Sequence, residues 1–311
     1  MQLMVESSLI TIWMIKKTLY FGNPVYLKTA NDQLVLETWE EPKQVKSIPI
    51  EDIGIVMLDN QQITITQALM AKLLENNVAI ITCDATHHPA GILFNLEGNT
   101  LQSQKHQCQI QASIPLKKQL WQQTISAKIT NQAALLKSQR VETKYLLGLS
   151  EKVKSGDTDN CEAKAASFYW KHIFPDFLEF KRERYGLPPN NLLNYGYAIL
   201  RASVARALTG SGLLPTLGIH HKNQYNAFCL ADDIMEPYRP YVDQLVCGIV
   251  RMNGKFLDMT PSMKKELLAI PNMDVRIEGR KSPLMNAISR TTASLVRCYE
   301  GDGRKLLYPN L

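Results

Sequence analysis

The chain has 311 residues, 45% hydrophobic and 21% charged, values of an ordinary globular protein long enough for two domains. No apolar run reaches the ~18 residues of a membrane span, and the six cysteines, at 83, 108, 161, 229, 247 and 298, form no CxxC pair. That spacing argues against structural zinc and a disulfide framework, and for reduced thiols in a cytoplasmic protein.

Residues 1–13 carry a short apolar patch, Ser8–Trp13, without a basic n-region or a small-residue cleavage site, so they are not read as a signal peptide. Met14-Ile-Lys-Lys reads as a fresh chain start, and residues 1–13 are expected to be an extension. Lys17–Phe21, Val25–Lys28 and Gln33–Trp39 are β-rich and separated by the turn chemistry of Gly22-Asn23-Pro24 and Asn31-Asp32. Val45–Ile50 and Ile53–Leu58 continue the strands. Thr66–Asn76 has the pattern of one amphipathic helix with Thr66 as N-cap. Val78–Thr82 is a continuous apolar strand, and His88-Pro89-Ala90-Gly91 is expected to turn into Ile92–Leu96.

Residues 97–111 are polar and Gln-rich and read as a linker. Helical periodicity dominates from Pro115: Leu116–Leu136, Cys161–Ile173 and Leu192–Leu208. Ser282-Pro283 has the form of a helix start, Ser as N-cap and Pro at N1, with Leu284, Ile288, Leu295 and Val296 on the apolar face. The expected fold is α+β in two domains. A small N-terminal β-sandwich-like domain, residues 14–96, is followed by a larger all-α domain, residues 112–311.

The net charge of +6 is unevenly divided. Residues 1–100 carry 6 Lys and Arg against 11 Asp and Glu, whereas residues 101–311 carry 29 against 18 and all 12 arginines. Arginine grips phosphate through a planar fork, so the second part reads as the polyanion-facing one.

Three places concentrate chemistry-bearing groups in otherwise apolar sequence. In Asp159-Asn160-Cys161-Glu162-Ala163-Lys164, Asp159 or Asn160 can cap a helix whose first turn holds Glu162 among small residues. Gly218-Ile219-His220-His221 follows the punctuation Gly210-Ser211-Gly212-Leu213-Leu214-Pro215, which puts both histidines after a sharp turn. In Asp232-Asp233-Ile234-Met235-Glu236-Pro237-Tyr238-Arg239-Pro240 the prolines fit a helix start, and Asp233 and Glu236 stand i, i+3. Two carboxylates and one imidazole make a mixed O/N site suited to Mg2+ or Mn2+. An iron oxygenase would ask for two useful histidines and one carboxylate, and no Walker loop, GxGxxG after a strand or GxSxG is present.

Asn194–Arg201, then Gly212-Leu213-Leu214-Pro215, Gly218-Ile219-His220-His221, and Leu230-Ala231-Asp232-Asp233-Ile234-Met235-Glu236-Pro237-Tyr238-Arg239-Pro240, in that order, resemble the CRISPR-associated endonuclease/integrase family of spacer acquisition (Cas1), with details closest to members of type II systems. Asn160–Ala166 resembles the family's first acidic motif. Ile48–Ile53 and His88–Gly91 resemble its N-terminal β-domain. The resemblance implies metal ligands at Glu162, His221 and Glu236, with Asp233 as a supporting acid. His220 replaces a usually apolar residue. Arg239 is the candidate for holding a phosphate, with a salt bridge to Asp232 or Asp243 as the alternative. The resemblance further implies insertion of short DNA fragments into a CRISPR repeat by 3′-OH transesterification, a homodimer through the β-domain, and assembly with the small partner Cas2. A general metal-dependent nuclease and a non-catalytic nucleic-acid scaffold are the other classes left open.

Overall fold

The computed structural model describes residues 16–39, 42–177, 180–184, 186–254 and 256–311. The expected extension, residues 1–13, lies outside them. The N-terminal part runs β1 (Lys17–Phe21), β2 (Val25–Ala30), β3 (Gln33–Thr38), β4 (Val45–Pro49), β5 (Ile53–Leu58), β6 (Thr64–Ile65), α1 (Gln67–Glu75), β7 (Ala79–Cys83) and β8 (Pro89–Leu93). The rest is α2 (Gln102–Gln111), α3 (Ile114–Ser138), α4 (Lys144–Lys152), α5 (Cys161–His172), α6 (Asn190–Gly210), α7 (Cys229–Met235), α8 (Arg239–Asn253), α9 (Pro261–Leu267), β9 (Asp274–Ile277), β10 (Arg280–Pro283) and α10 (Leu284–Glu300). Among the described residues no helix is long and apolar enough to cross a membrane.

The strands form two four-stranded sheets, ordered β1-β5-β7-β8 and β4-β3-β2-β6. The first is parallel across β1, β5 and β7 and antiparallel at β8; the second is antiparallel except where β2 meets β6. Asn31 and Asp32 both take positive φ (51° and 57°), as a two-residue hairpin turn between β2 and β3 requires. Thr66 caps α1 by accepting from the Leu69 amide.

The continuous apolar runs of β5 and β7 have a physical reason. Successive side chains point to opposite faces, and both faces of this sheet are covered. Val56 and Ile80 join Val25, Leu27, Leu34, Leu69 and Leu73 in the core shared by the two sheets and α1, and Ile53 joins them because the pairing with β1 slips by one residue at Gly54. Ile55, Met57, Ala79 and Ile81 face the other way, into the large core of the helices.

Several expectations need correction. The polar run 97–111, read as a linker, contains α2; its Gln109 is buried and bridges the amide and carbonyl of Leu214 and the carbonyl of Leu217. Polarity there serves hydrogen bonding inside the fold. The turn before β8 is Asp84–His88, where the Asp84 carboxylate accepts from the amides of Thr86 and His88, so the strand starts at Pro89. The helical region is not all-α: Glu278 and Gly279, both at positive φ, close the hairpin β9–β10. Ser282-Pro283 ends β10, and α10 begins at Leu284 with no side-chain cap. Its expected apolar face, Leu284, Ile288, Leu295 and Val296, is buried.

One buried ion pair ties the strands to the helices. Asp59, which follows β5, has a fully buried carboxylate. Tyr20 OH (2.6 Å) and Lys264 Nζ of α9 (2.9 Å) donate to it, and His87 Nδ1 lies 2.9 Å away. Removing one partner of such a pair strands the other in low dielectric. Lys264→Met is therefore expected to cost about 3 kcal/mol, the low end of the usual range because Tyr20 and His87 remain on Asp59. Urea unfolding of the Lys264→Met and Asp59→Asn variants and their double mutant checks this: the double mutant should lose clearly less than the sum of the singles.

Candidate metal centre

Helix α5 starts after Asn160, a residue in the left-handed region (φ 54°) whose side chain makes no cap. The cap comes from farther back. Asp157 Oδ1 and Oδ2 accept from the amides of Cys161 and Glu162, at 2.8 and 2.9 Å. Neither Asp159 nor Asn160 supplies it. This fixes Glu162 in the first turn, partly exposed and aimed at α3.

Helix α7 passes into a single 3-10 turn, Glu236–Tyr238, before α8. Pro237 and Pro240 lie in first turns, where no backbone donor is needed. Asn131 Nδ2 of α3 donates to the Pro237 carbonyl at 2.8 Å and anchors this turn. Glu236 is consequently buried against α3.

The histidine segment is held by Asp233, whose side chain is fully buried. Its Oδ2 accepts from the His220 amide and its Oδ1 from the His221 amide and, at 2.5 Å, from His221 Nδ1. The closeness requires Gly218, where a Cβ would lie 2.4 Å from the His221 carbonyl oxygen and 2.8 Å from Asp233 Oδ2. With Nδ1–H donated to a carboxylate, the remaining ring nitrogen, Nε2, carries the lone pair. The hydrogen bond to Asp233, outweighing burial, raises the His221 pKa. His220 does something different: its ring stacks flat on Trp121 at 4.2 Å, and burial lowers its pKa.

At the centre stands a residue the sequence reading did not single out. Lys128 Nζ of α3 lies 2.6 Å from Glu162 Oε1 and 2.6 Å from Glu236 Oε2. Arg239 Nε donates to the other oxygen, Glu236 Oε1, at 2.7 Å. Arg239 thus pairs with Glu236, and with neither Asp232 nor Asp243. Asp232 is taken by Arg201, and Asp243 accepts from Tyr169 OH and Tyr197 OH. Arg239 also lies 4.5 Å over the Tyr197 ring, which holds its plane. Burial would push the Glu236 carboxyl up, but Arg239 and Lys128 overcome it and hold the pKa at about 2. Burial alone pushes Asp243 up, to about 6, against its two tyrosines and the nearby arginines.

The structure therefore brings Glu162 and Glu236 together at Lys128, with Arg239 on Glu236, and holds His221 on Asp233 within electrostatic reach of both glutamates. Among the described residues no three His, Cys, Asp or Glu side chains converge tightly enough to coordinate an ion by themselves. Two observations fit the residues to a divalent cation. A monovalent cation already sits between the two carboxylates. Glu236 Oε2 is buried with no hydrogen bond, its contact to Lys128 being Coulombic without hydrogen-bond geometry. Lys128 had one sequence signal: a lysine in register with Trp121, Ile125 and Gln132 on the buried side of a long helix.

Residues 19–256 match the family described as CRISPR associated protein Cas1. The chain is 36% identical over 250 residues to a CRISPR-associated endonuclease Cas1 of Neisseria meningitidis serogroup C, covering 80% of this chain and 81% of that one. It is 27% identical over 238 residues to a CRISPR-associated endonuclease Cas1 of Saccharolobus solfataricus, covering 74% and 73%. Among solved structures its fold resembles a casposase bound to integration product (TM-score 0.78, 20% identity, 93% of this chain and 92% of that one). It also resembles a Cas1 protein from Thermotoga maritima (TM-score 0.72, 19% identity, 92% and 98%), and a chain of a Cas6-RT-Cas1–Cas2 complex (TM-score 0.75, 20% identity, 96% and 36%).

Asp243 generates a pH test. Its folded-state pKa of about 6 lies above the ordinary carboxyl value. Such a group stabilises fully below its unfolded pKa, and that contribution is lost as pH rises through about 6. Asp243→Asn keeps an acceptor for one tyrosine hydroxyl, offers its NH2 to the other as a donor, and removes the titration. Thermal melts between pH 4 and 7 should show the wild type losing this contribution while the variant's curve is flatter across the same window.

Proposed function

The chain belongs to the Cas1 family of CRISPR-associated proteins, and from that premise we propose that it is a metal-dependent DNA endonuclease/integrase that inserts short DNA fragments into a CRISPR repeat in the cytoplasm. The observation that carries this reading is the pair of carboxylates, Glu162 and Glu236, closed around one cation beside a histidine already oriented by Asp233. A carboxylate pair plus an imidazole nitrogen is a donor set for Mg2+ or Mn2+.

In the proposed reaction the 3′-OH of a protospacer fragment attacks a phosphodiester at the repeat edge. The attacking hydroxyl gives up its proton as a new P–O bond forms to the fragment, the original P–O3′ bond breaks, and the leaving 3′ oxygen takes up a proton, so protons balance overall. The number of phosphodiesters is conserved, so no external energy source is needed. A divalent ion supplies stabilisation of the charge that grows on the phosphoryl oxygens. Glu162, Glu236 and His221 Nε2 would hold that ion. Asp233 acts through His221, fixing its tautomer and ring plane, as carboxylates behind metal-bound histidines do. Arg239 acts through Glu236: its Nε is committed to Oε1, so we assign it positioning of that carboxylate in preference to gripping phosphate.

The strongly basic part of the sequence, which we assign to residues 112–311 as the catalytic and DNA-binding domain, supplies the polyanion surface. Homodimerisation through the β-rich region, residues 14–96, is supported by Trp39 and Val45, both large, apolar and exposed where β3 meets β4. Cas2 as a partner is supported by the likeness to a chain of a Cas1–Cas2 complex.

Glu162→Ala, His221→Ala and Glu236→Ala should each lower strand joining by at least about 10²-fold, because the interaction removed is realised in the transition state. DNA affinity and its steep salt dependence should change little. His220→Ala should lower the melting temperature, through the lost stack on Trp121, while retaining joining. A gel assay with labelled fragment and repeat DNA, run beside a binding titration, decides the matter. Robust joining by both Glu variants overturns the metal-centre reading, and cutting without joining reduces the protein to a plain nuclease.

A further inference from the structure

Lys128 belongs to none of the roles above. It projects from the inner face of α3, with Thr124 one turn and Trp121 two turns before it and Asn131 one turn after, and its side chain is only 11% exposed. A lysine this buried is unfavourable unless anions surround it. Its ammonium touches one oxygen of each proposed ligand at the same 2.6 Å. Oxygens around Mg2+ sit at about 2.0–2.1 Å, so each carboxylate would need to move only about half an ångström to close on an ion placed where Nζ now is. An ion and an ammonium cannot share that point, since sterics and like-charge repulsion both forbid it.

We propose that Lys128 is a resident counter-cation that preassembles Glu162 and Glu236 between α5 and the α7–α8 turn, and that the divalent ion loads by displacing its ammonium. The inference rests on the metal-centre reading and adds a step to it: loading is an exchange of one cation for another. Two consequences follow from the exchange. Without metal, Lys128 neutralises charge that Arg239 alone cannot. With metal, Lys128 is a competitor, so removing it tightens ion binding, while Lys128→Arg keeps a competing cation on the same helix.

Mn2+ titrations of the full chain without DNA, read by the electron paramagnetic resonance of free Mn2+, test this on wild type, Lys128→Met, Lys128→Gln, Lys128→Arg and Glu162→Ala. Lys128→Met and Lys128→Gln should bind Mn2+ about tenfold more tightly than wild type or more, and Lys128→Arg should stay near wild type. Metal-free Lys128→Met should melt below the wild type, and Mn2+ should raise its melting temperature by more than it raises that of the wild type. Equal or weaker Mn2+ binding by both neutral variants, with binding to wild type that Glu162→Ala abolishes, overturns the role of Lys128 and leaves the centre standing. Absence of binding in every variant overturns the centre, and this proposal with it.

Discussion

A carboxylate withdrawn from water as far as that of Glu236 needs positive charge in direct contact, or it gains a proton. Here the charge arrives from two directions, Lys128 on one oxygen and Arg239 on the other. Each cation is itself constrained. Lys128 is shared with Glu162 at the head of α5, and Arg239 lies over Tyr197, whose hydroxyl is held by Asp243 of α8. Neutralising one buried charge thereby fixes α3, α5, α6 and the α7–α8 turn relative to one another. Breaking any member leaves an uncompensated charge in low dielectric, which makes the arrangement stiff as well as neutral.

The same logic joins the sheets to the helices. The first sheet is apolar on both faces because one face meets the second sheet and α1 while the other meets the helical core. Asp59 and Lys264 add a directional contact to that non-directional burial. Charge is segregated by this arrangement: the acidic excess sits with the strands and the basic excess with the helices that carry the proposed centre. A polyanion approaching the molecule is steered toward the helical side before any specific contact forms.

Where periodicity was the whole signal, the elements stand close to where it puts them. Ile53–Leu58 and Lys17–Phe21 are strands over those very residues, and Thr66 caps α1. The misses share one cause. Residues 97–111 are polar because Gln109 bonds to backbone 105 residues away, and composition cannot distinguish such a helix from a solvated linker. Asp157 caps α5 from outside the motif because Asn160 takes left-handed geometry, and a cap reaching back four and five residues leaves no adjacent signature. The hairpin β9–β10 is four residues per strand with a Glu-Gly turn, too short to show against the helical background.

Residue type and order by themselves determined the family, the strand-rich then helical plan, and the acids and histidines grouped at Glu162, His220-His221 and Asp233–Glu236. Those are properties of local spacing and chemistry, which a linear chain displays. Tertiary structure alone decided which groups meet. It put Lys128 between Glu162 and Glu236, gave Arg239 to Glu236 in place of Asp232 or Asp243, committed Asp233 to the histidine segment, and turned His220 onto Trp121 while leaving His221 on the carboxylate. Such pairings lie between helices whose relative rotation is set by packing of the entire core. A rotation by one residue would exchange the partners without altering a single spacing in the sequence.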